Sequence, residues 1–189
     1  MVENHELWRT IDMHSFIIIF FASILSRSEA LTNVGGVLLQ NTIWSSNGNA
    51  NPYYLISDVY VPRNVTLIIR PGVQILFNNG DFEILVKGFL QVNGNALNPV
   101  LFYNGTGTNT KWMITFQSTN LTKSTIVHAS FIGPKNALQI NTVAVGLPQN
   151  TGVLDVQNTN FRQATTVAAN GKLFRLCFFF DSIDLLYLV

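Results

Sequence analysis

Apolar side chains along this chain come in short bursts, and no long stretch between residues 31 and 180 shows them at helical spacing. The bursts are β-branched and aromatic: Val65-Thr66-Leu67-Ile68-Ile69, Val73-Gln74-Ile75-Leu76-Phe77 and Phe82-Glu83-Ile84-Leu85-Val86. Phe89-Leu90-Gln91-Val92, Val100-Leu101-Phe102-Tyr103 and Met113-Ile114-Thr115-Phe116 follow. Between them stand Pro71-Gly72, Asn78-Asn79-Gly80, Lys87-Gly88, Asn93-Gly94 and Asn98-Pro99. Such residues tolerate positive φ or, in the case of Pro, hold φ at a preset negative value, so they turn the chain. Short strands bounded by turn formers predict an all-β protein.

Two all-β architectures fit this pattern. Hairpins could build a sandwich or barrel, and Asn93-Gly94 could serve as a tight hairpin turn. Alternatively, the strands wind as a parallel solenoid with one strand on each of three faces. Lys87-Gly88 separates two strands by almost nothing, which suits a bend between solenoid faces better than a reversal. Internal repetition points the same way. Ile126-Val127-His128-Ala129-Ser130-Phe131 aligns with Val156-Gln157-Asn158-Thr159-Asn160-Phe161, 30 residues on. Ala137-Leu138-Gln139-Ile140 aligns with Thr166-Val167-Ala168-Ala169, and Leu67 with Leu90. Alternation within each strand then gives a core of Leu67, Ile69, Ile75, Phe77, Leu85, Leu90, Val92, Leu101, Ile114, Phe116, Ile126, Phe131, Leu154, Val156 and Phe161. Asn side chains at stacked turns can form amide ladders, with His128 in the position of Asn158.

Asp58-Val59-Tyr60-Val61-Pro62, the Val65–Ile69 strand, Pro71-Gly72-Val73, Ile75-Leu76-Phe77, Leu85-Val86-Lys87-Gly88-Phe89-Leu90, Asn93-Gly94 and Asn98-Pro99-Val100-Leu101-Phe102 together carry a resemblance. They resemble the opening coils of a right-handed, single-stranded parallel β-helix of the pectin-lyase-like superfamily. Thr42-Ile43-Trp44-Ser45 and Pro52-Tyr53-Tyr54-Leu55 resemble its lead-in, and Trp112-Met113-Ile114-Thr115-Phe116 resembles a later coil lacking the usual Gly. The match covers about residues 42–170. Among animal proteins the chain resembles the β-helix segments of bark-beetle-type septate-junction proteins. That likeness implies a secreted or surface protein, and many non-enzymes share this opening.

The N-terminus reads as an export signal. Residues 16–25 are apolar except for Ser23 and too few to span a bilayer, which takes about 20 residues. Ser28-Glu29-Ala30 follows with small residues where signal peptidase reads, so cleavage is expected after Ala30. Residues 1–12 would be an extension ahead of an alternative start at Met13. The expected organisation is a signal peptide over 1–30, a lead-in or N-terminal cap over 31–57, coils over 58–180 and an atypical tail over 181–189. That tail fits no coil, so the solenoid is expected to be incomplete at its C-terminus, with further coils in a longer chain. No transmembrane segment is expected once the signal is removed. In a secreted chain the sequons at Asn64, Asn104 and Asn120 become glycan acceptors. Asn104 is expected at the head of a loop running to Lys111, and hence to be the best occupied.

Composition narrows function mostly by exclusion. With 48% hydrophobic and 11% charged residues, disorder is excluded. The net charge of +1 excludes a strongly basic nucleic-acid binder. The single cysteine, Cys177, excludes an internal disulfide framework and suits either a bridge to another chain or a buried apolar position. Polarity comes from amides: there are 21 Asn against 10 Asp plus Glu. Beyond the signal the acidic residues are Asp58, Asp81, Glu83, Asp155, Asp181 and Asp184. Enzymes with this fold cluster carboxylates on adjacent coils, as Ca²⁺ ligands or as acid and base. Only Asp81 and Glu83 form a close pair. They are weak candidates for a cation, since Ca²⁺ takes six to eight oxygens. His128 lacks a nameable partner for base catalysis. There is no nucleophile elbow, phosphate loop or Cys/His metal spacing. No catalytic residue, metal or cofactor is therefore expected. The expected role is a non-catalytic extracellular module, structural, adhesive or binding a protein or glycan. A fragment of a polysaccharide lyase or glycoside hydrolase is the alternative.

Overall fold

The computed structural model describes residues 31–47, 50–77, 81–104, 111–117, 124–134, 137–140, 154–162 and 175–179. The expected signal peptide with Ala30, the Asn120 sequon, the 166–169 repeat and the tail 181–189 lie outside the described residues.

Every sheet pairing is parallel, and the strands form one continuous sheet. They are β1 (Thr32–Val37), β2 (Thr42–Trp44), β3 (Tyr53–Val61), β4 (Thr66–Ile69), β5 (Gln74–Phe77), β6 (Glu83–Val86) and β7 (Phe89–Asn93). Then come β8 (Val100–Asn104), β9 (Met113–Phe116), β10 (Ser124–Val127), β11 (Ala129–Ile132), β12 (Leu138–Ile140), β13 (Leu154–Arg162) and β14 (Arg175–Phe179). Parallel neighbours cannot be joined by hairpins, so the sandwich and barrel readings fall. The described chain is a parallel β-solenoid, with no helix among the described residues.

Pairing sorts the strands onto three faces. Face A stacks β2, β4, β7, β10 and the first part of β13. Face B stacks Tyr53–Leu55 of β3, then β5, β8, β11 and the second part of β13. Face C stacks Val59–Val61 of β3, then β6, β9 and β12. The chain visits A, B and C in that order. The segment expected as a lead-in contributes β1, β2 and the start of β3 to the same stack.

The expected repeats appear as register. Leu67 pairs with Leu90, Ile126 with Val156, and Phe131 with Phe161. Inward residues therefore sit on inward residues. Phe102, Phe131 and Phe161 form a stack with ring centroids 4.6 and 4.9 Å apart. That spacing matches the separation of adjacent strands, about 4.8 Å, so the coil rise and the aromatic stacking distance reinforce one another. Trp112 lies on Phe77 at 4.2 Å, and Trp44 on Tyr53 at 4.9 Å.

Two expected core positions face outward. Leu85 and Leu101 are half-buried, while Ile84, Val86, Val100 and Phe102 are fully enclosed. Both lie in uninterrupted apolar runs, where no polar residue marks the outward parity. A one-residue slip moves a whole strand's side chains to the other face. Here the neighbouring coils decide: Ile84 pairs with Val59 and Ile114, and Phe102 with Ile75 and Phe131.

Lys87-Gly88 is the expected bend from face C to face A. A β-carbon on Gly88 would collide with the carbonyl oxygens of Pro62 and Val65. The Lys87 and Gly88 amides both donate to Val61 O, at 2.8 and 3.0 Å. The two coils thus approach too closely here for any side chain.

Alternation on β7 makes a direct test. Leu90 is fully buried between Leu67 and the coil above, whereas Gln91 points outward. Leu90→Ala should cost about 2–5 kcal/mol in urea unfolding, and Gln91→Ala should stay within about ±0.5 kcal/mol. Equal losses at both positions would contradict a single core lined by alternate residues.

Candidate functional site

Three of the four described acidic residues gather at one edge of the solenoid, while Asp155 lies buried on β13, in register with Thr125 on face A. Asp58 lies at the bend within β3 between faces B and C, and Asp81 lies at the same corner one coil on, beside Glu83 at the start of β6. Their oxygens are turned to coil-to-coil bonds. Asp58 Oδ1 accepts from the Glu83 amide at 2.9 Å, across 25 residues of sequence. Asp81 Oδ1 accepts from the Lys111 amide at 2.9 Å, and Glu83 Oε2 accepts from Thr115 Oγ1 at 2.7 Å. A carboxylate that accepts a backbone N–H replaces the sheet partner which the corner denies that amide. Asp81 and Glu83 thus reach to different residues of the next coil rather than converging on one point. Among the described residues no group of three His, Cys, Asp or Glu side chains could hold a metal ion.

Amides do the same work elsewhere, which the residue list alone did not reveal. Asn41 Oδ1 accepts from the Thr66 amide at 2.9 Å, and Asn51 Oδ1 from the Gln74 amide at 2.7 Å. The sequence signal was there: an Asx residue at a corner stands one coil, 23 to 30 residues, before the amide it receives. Asn51 also donates to Gly72 O at 3.2 Å. On the A–B corner His128 and Asn158 both take left-handed φ, 49° and 48°. Asn and His are among the few side chains enriched there. Asn158 Nδ2 lies 3.4 Å from His128 Nε2, so His128 stands at the aligned corner position one coil before Asn158.

The same A–B corner, nearer the N-terminal end, holds a polar cleft of about 380 Å³ lined by Ser45, Ser46, Asn47, Arg70, Pro71 and Asn98. Sequence reading passed over this feature, because its residues come from three successive coils. Ser46 Oγ donates to Pro71 O at 2.9 Å, and the Gly72 amide donates to Asn98 O at 3.0 Å. Gly72 has φ of 74°, a conformation that side chains rarely adopt. The chain can thus turn sharply beside the exposed Arg70.

The sequons differ in setting. Asn64 is exposed in the turn between β3 and β4, with φ of 65°. Asn104 is the last residue of β8, and residues 105–110 of the expected loop lie outside the described residues. It pairs with Phe77 and so occupies a core-facing row, where its Oδ1 is buried. Cys177 lies on β14 in register with Gln157. Among the described residues no helix is long and apolar enough to cross a membrane.

These features define a parallel β-solenoid in which several polar side chains bond one coil to the next. No protein-family model matches the chain, and neither a curated protein nor a solved structure matches it.

Glycan occupancy should follow the geometry. A glycan on Asn104 would have to leave a core-facing row, so folded, secreted protein should carry it seldom. Asn64 should be the better occupied of the two. Glycopeptide mapping that found Asn104 fully modified and Asn64 bare would contradict this placement of β8.

Proposed function

We propose that this chain is a secreted, non-catalytic β-solenoid module that acts structurally or in adhesion, by binding an extracellular protein or glycan. The observation that carries the reading is the use of Asp58, Asp81 and Glu83 as hydrogen-bond acceptors between coils. A carboxylate engaged in this way holds the corner in shape, and moving it to serve as acid, base or metal ligand would release an amide of the next coil at Asp58 or Asp81, or the Thr115 hydroxyl at Glu83. Membership of the pectin-lyase-like superfamily, and kinship with bark-beetle-type septate-junction proteins, belong to the same proposal. They are supported by the motifs from Thr42 to Phe116 and by the parallel solenoid those motifs form. Export is supported by the apolar run 16–25 and the small residues before Leu31.

Two measurements test this. Incubation of the purified protein with polygalacturonate should release neither unsaturated nor reducing ends. Release that disappears in the Asp81→Ala, Glu83→Ala double variant would establish the alternative, a polysaccharide-degrading enzyme. Separately, protein recovered from the medium of secreting cells should begin at Leu31 by N-terminal sequencing. Recovery of material still carrying residues 16–25 would refute cleavage after Ala30.

A further inference from the structure

The outer rows of face B carry an apolar strip. Tyr54, Leu76, Tyr103 and Ile132 stand in one register line across β3, β5, β8 and β11, and Leu101 stands in the adjoining row next to Gln74. All are half-buried and point away from the core. Tyr103 donates to Gln74 Oε1 at 3.3 Å, which fixes its ring along the strip. Among the described residues these rows carry no charge until Arg162 at the far end.

The two corners that flank this face carry opposite charge. Arg70 precedes β5 at the A–B corner, and Asp81 follows the same strand at the B–C corner. Each stands four residues from the nearer end of β5, and both are exposed. Asp58 adds a second negative charge one coil below Asp81, with the exposed Ile56 beside it. On the A–B side the exposed Leu97 lies one coil above Arg70. Lys111 stands one coil above Asp81, level with the neutral Asn98.

Such a face complements itself. A two-fold axis parallel to the solenoid axis, placed over β5, lays face B on face B of a second copy. It keeps every coil at its own height and exchanges the two corners. Arg70 of each copy then meets Asp81 of the other, twice, with the apolar strips between. An axis perpendicular to the solenoid would bring Arg70 against Arg70 and is disfavoured by charge. We propose that face B is the contact surface of a two-fold homodimer of parallel solenoids, joined by reciprocal Arg70–Asp81 contacts around the Tyr54–Leu76–Tyr103–Ile132 strip. This rests on the non-catalytic reading only in that it gives the module a partner. Closed two-fold pairing is the commonest symmetry of soluble oligomers. The exposed Asn64 sequon, at the C–A corner opposite face B, leaves the contact clear of a glycan. Four strands at about 4.8 Å spacing make a small strip, so the association belongs to the weak class of interfaces, under about 1,200 Å² in total.

The test is sedimentation velocity across a concentration series. The wild-type protein should form a concentration-dependent dimer that added salt weakens, as for charges at an interface rim. Arg70→Glu alone, and Asp81→Arg alone, should each raise the dimer dissociation constant by about tenfold or more, since two attractions become two repulsions. Mixing the two variants should restore dimers, because in the mixed pair both contacts are again opposite in charge. Restoration on mixing identifies a self-contact, which no other partner would produce. Asp81→Arg removes the acceptor for the Lys111 amide, so Leu76→Arg, in the middle of the outer strip, provides a second disruption. It should abolish the dimer while leaving the circular dichroism of the wild type. A protein that stays monomeric throughout, a dimer indifferent to Arg70→Glu and Leu76→Arg, or variants that fail to recombine would each overturn the proposal. The polygalacturonate assay is independent of all three results, so failure of the dimer and failure of the non-catalytic reading can be told apart.

Discussion

The constraint on which the rest depends is in-register parallel pairing from coil to coil. Each inward side chain must rest on the side chain at the same position of the coils below and above. Ile75, Phe102, Phe131 and Phe161 form one such column, and Val59, Ile84, Ile114 and Leu138 another. The backbone sets the step at about 4.8 Å, and flat aromatic rings fill that step without a gap. A side chain that departs from its column loses contacts in two directions at once. This is why the faces keep their pattern although coils differ in length.

Freedom is left to the corners, and it has a cost. A corner interrupts the ladder, so its amides need other acceptors. Asn41, Asn51, Asp58 and Asp81 supply them, each reaching to the next coil. Inside the core Ser124 reaches the other way, accepting from the Leu90 amide of the preceding coil at 3.0 Å. Amides suit this task better than charges, because Asn carries donor and acceptor without the desolvation penalty of an ion. From Leu31 to Ser57 the chain carries no Lys, Arg, Asp or Glu at all.

This division explains what could be read in advance. Columns repeat along the chain, so the strands, the parallel stacking and most core positions were legible, as were the Leu67–Leu90 and Phe131–Phe161 partners. Parity was lost only at Leu85 and Leu101, where apolar residues stand on both sides of the strand. Corners do not repeat, because each has its own length, so the cleft around Arg70 and the setting of Asn104 were not legible. Asn104 shows the physical reason. Its Gly-Thr neighbours suggest a loop, but pairing with Phe77 extends β8 by one more residue and turns the side chain inward. Tertiary pairing outweighs local turn preference at a strand end.

The same division bears on where function can reside. Inward columns are committed to packing, and corner acceptors to the ladder. What remains variable is the outward rows and the side chains that corners leave exposed. Along face B those rows are apolar and half-buried, whereas face C carries Glu83, and Lys87 with its ammonium 5.5 Å from the centre of the Tyr60 ring. A hydrated, charged row resists being covered, because its ions must be stripped of water. An uncharged row of Tyr and Leu does not, and aromatic side chains with a polar tip are the type enriched at protein contacts. In a solenoid, therefore, the chemistry of recognition is written on one face at a time. Of these two faces, face B is the one whose covering would strand fewer charges.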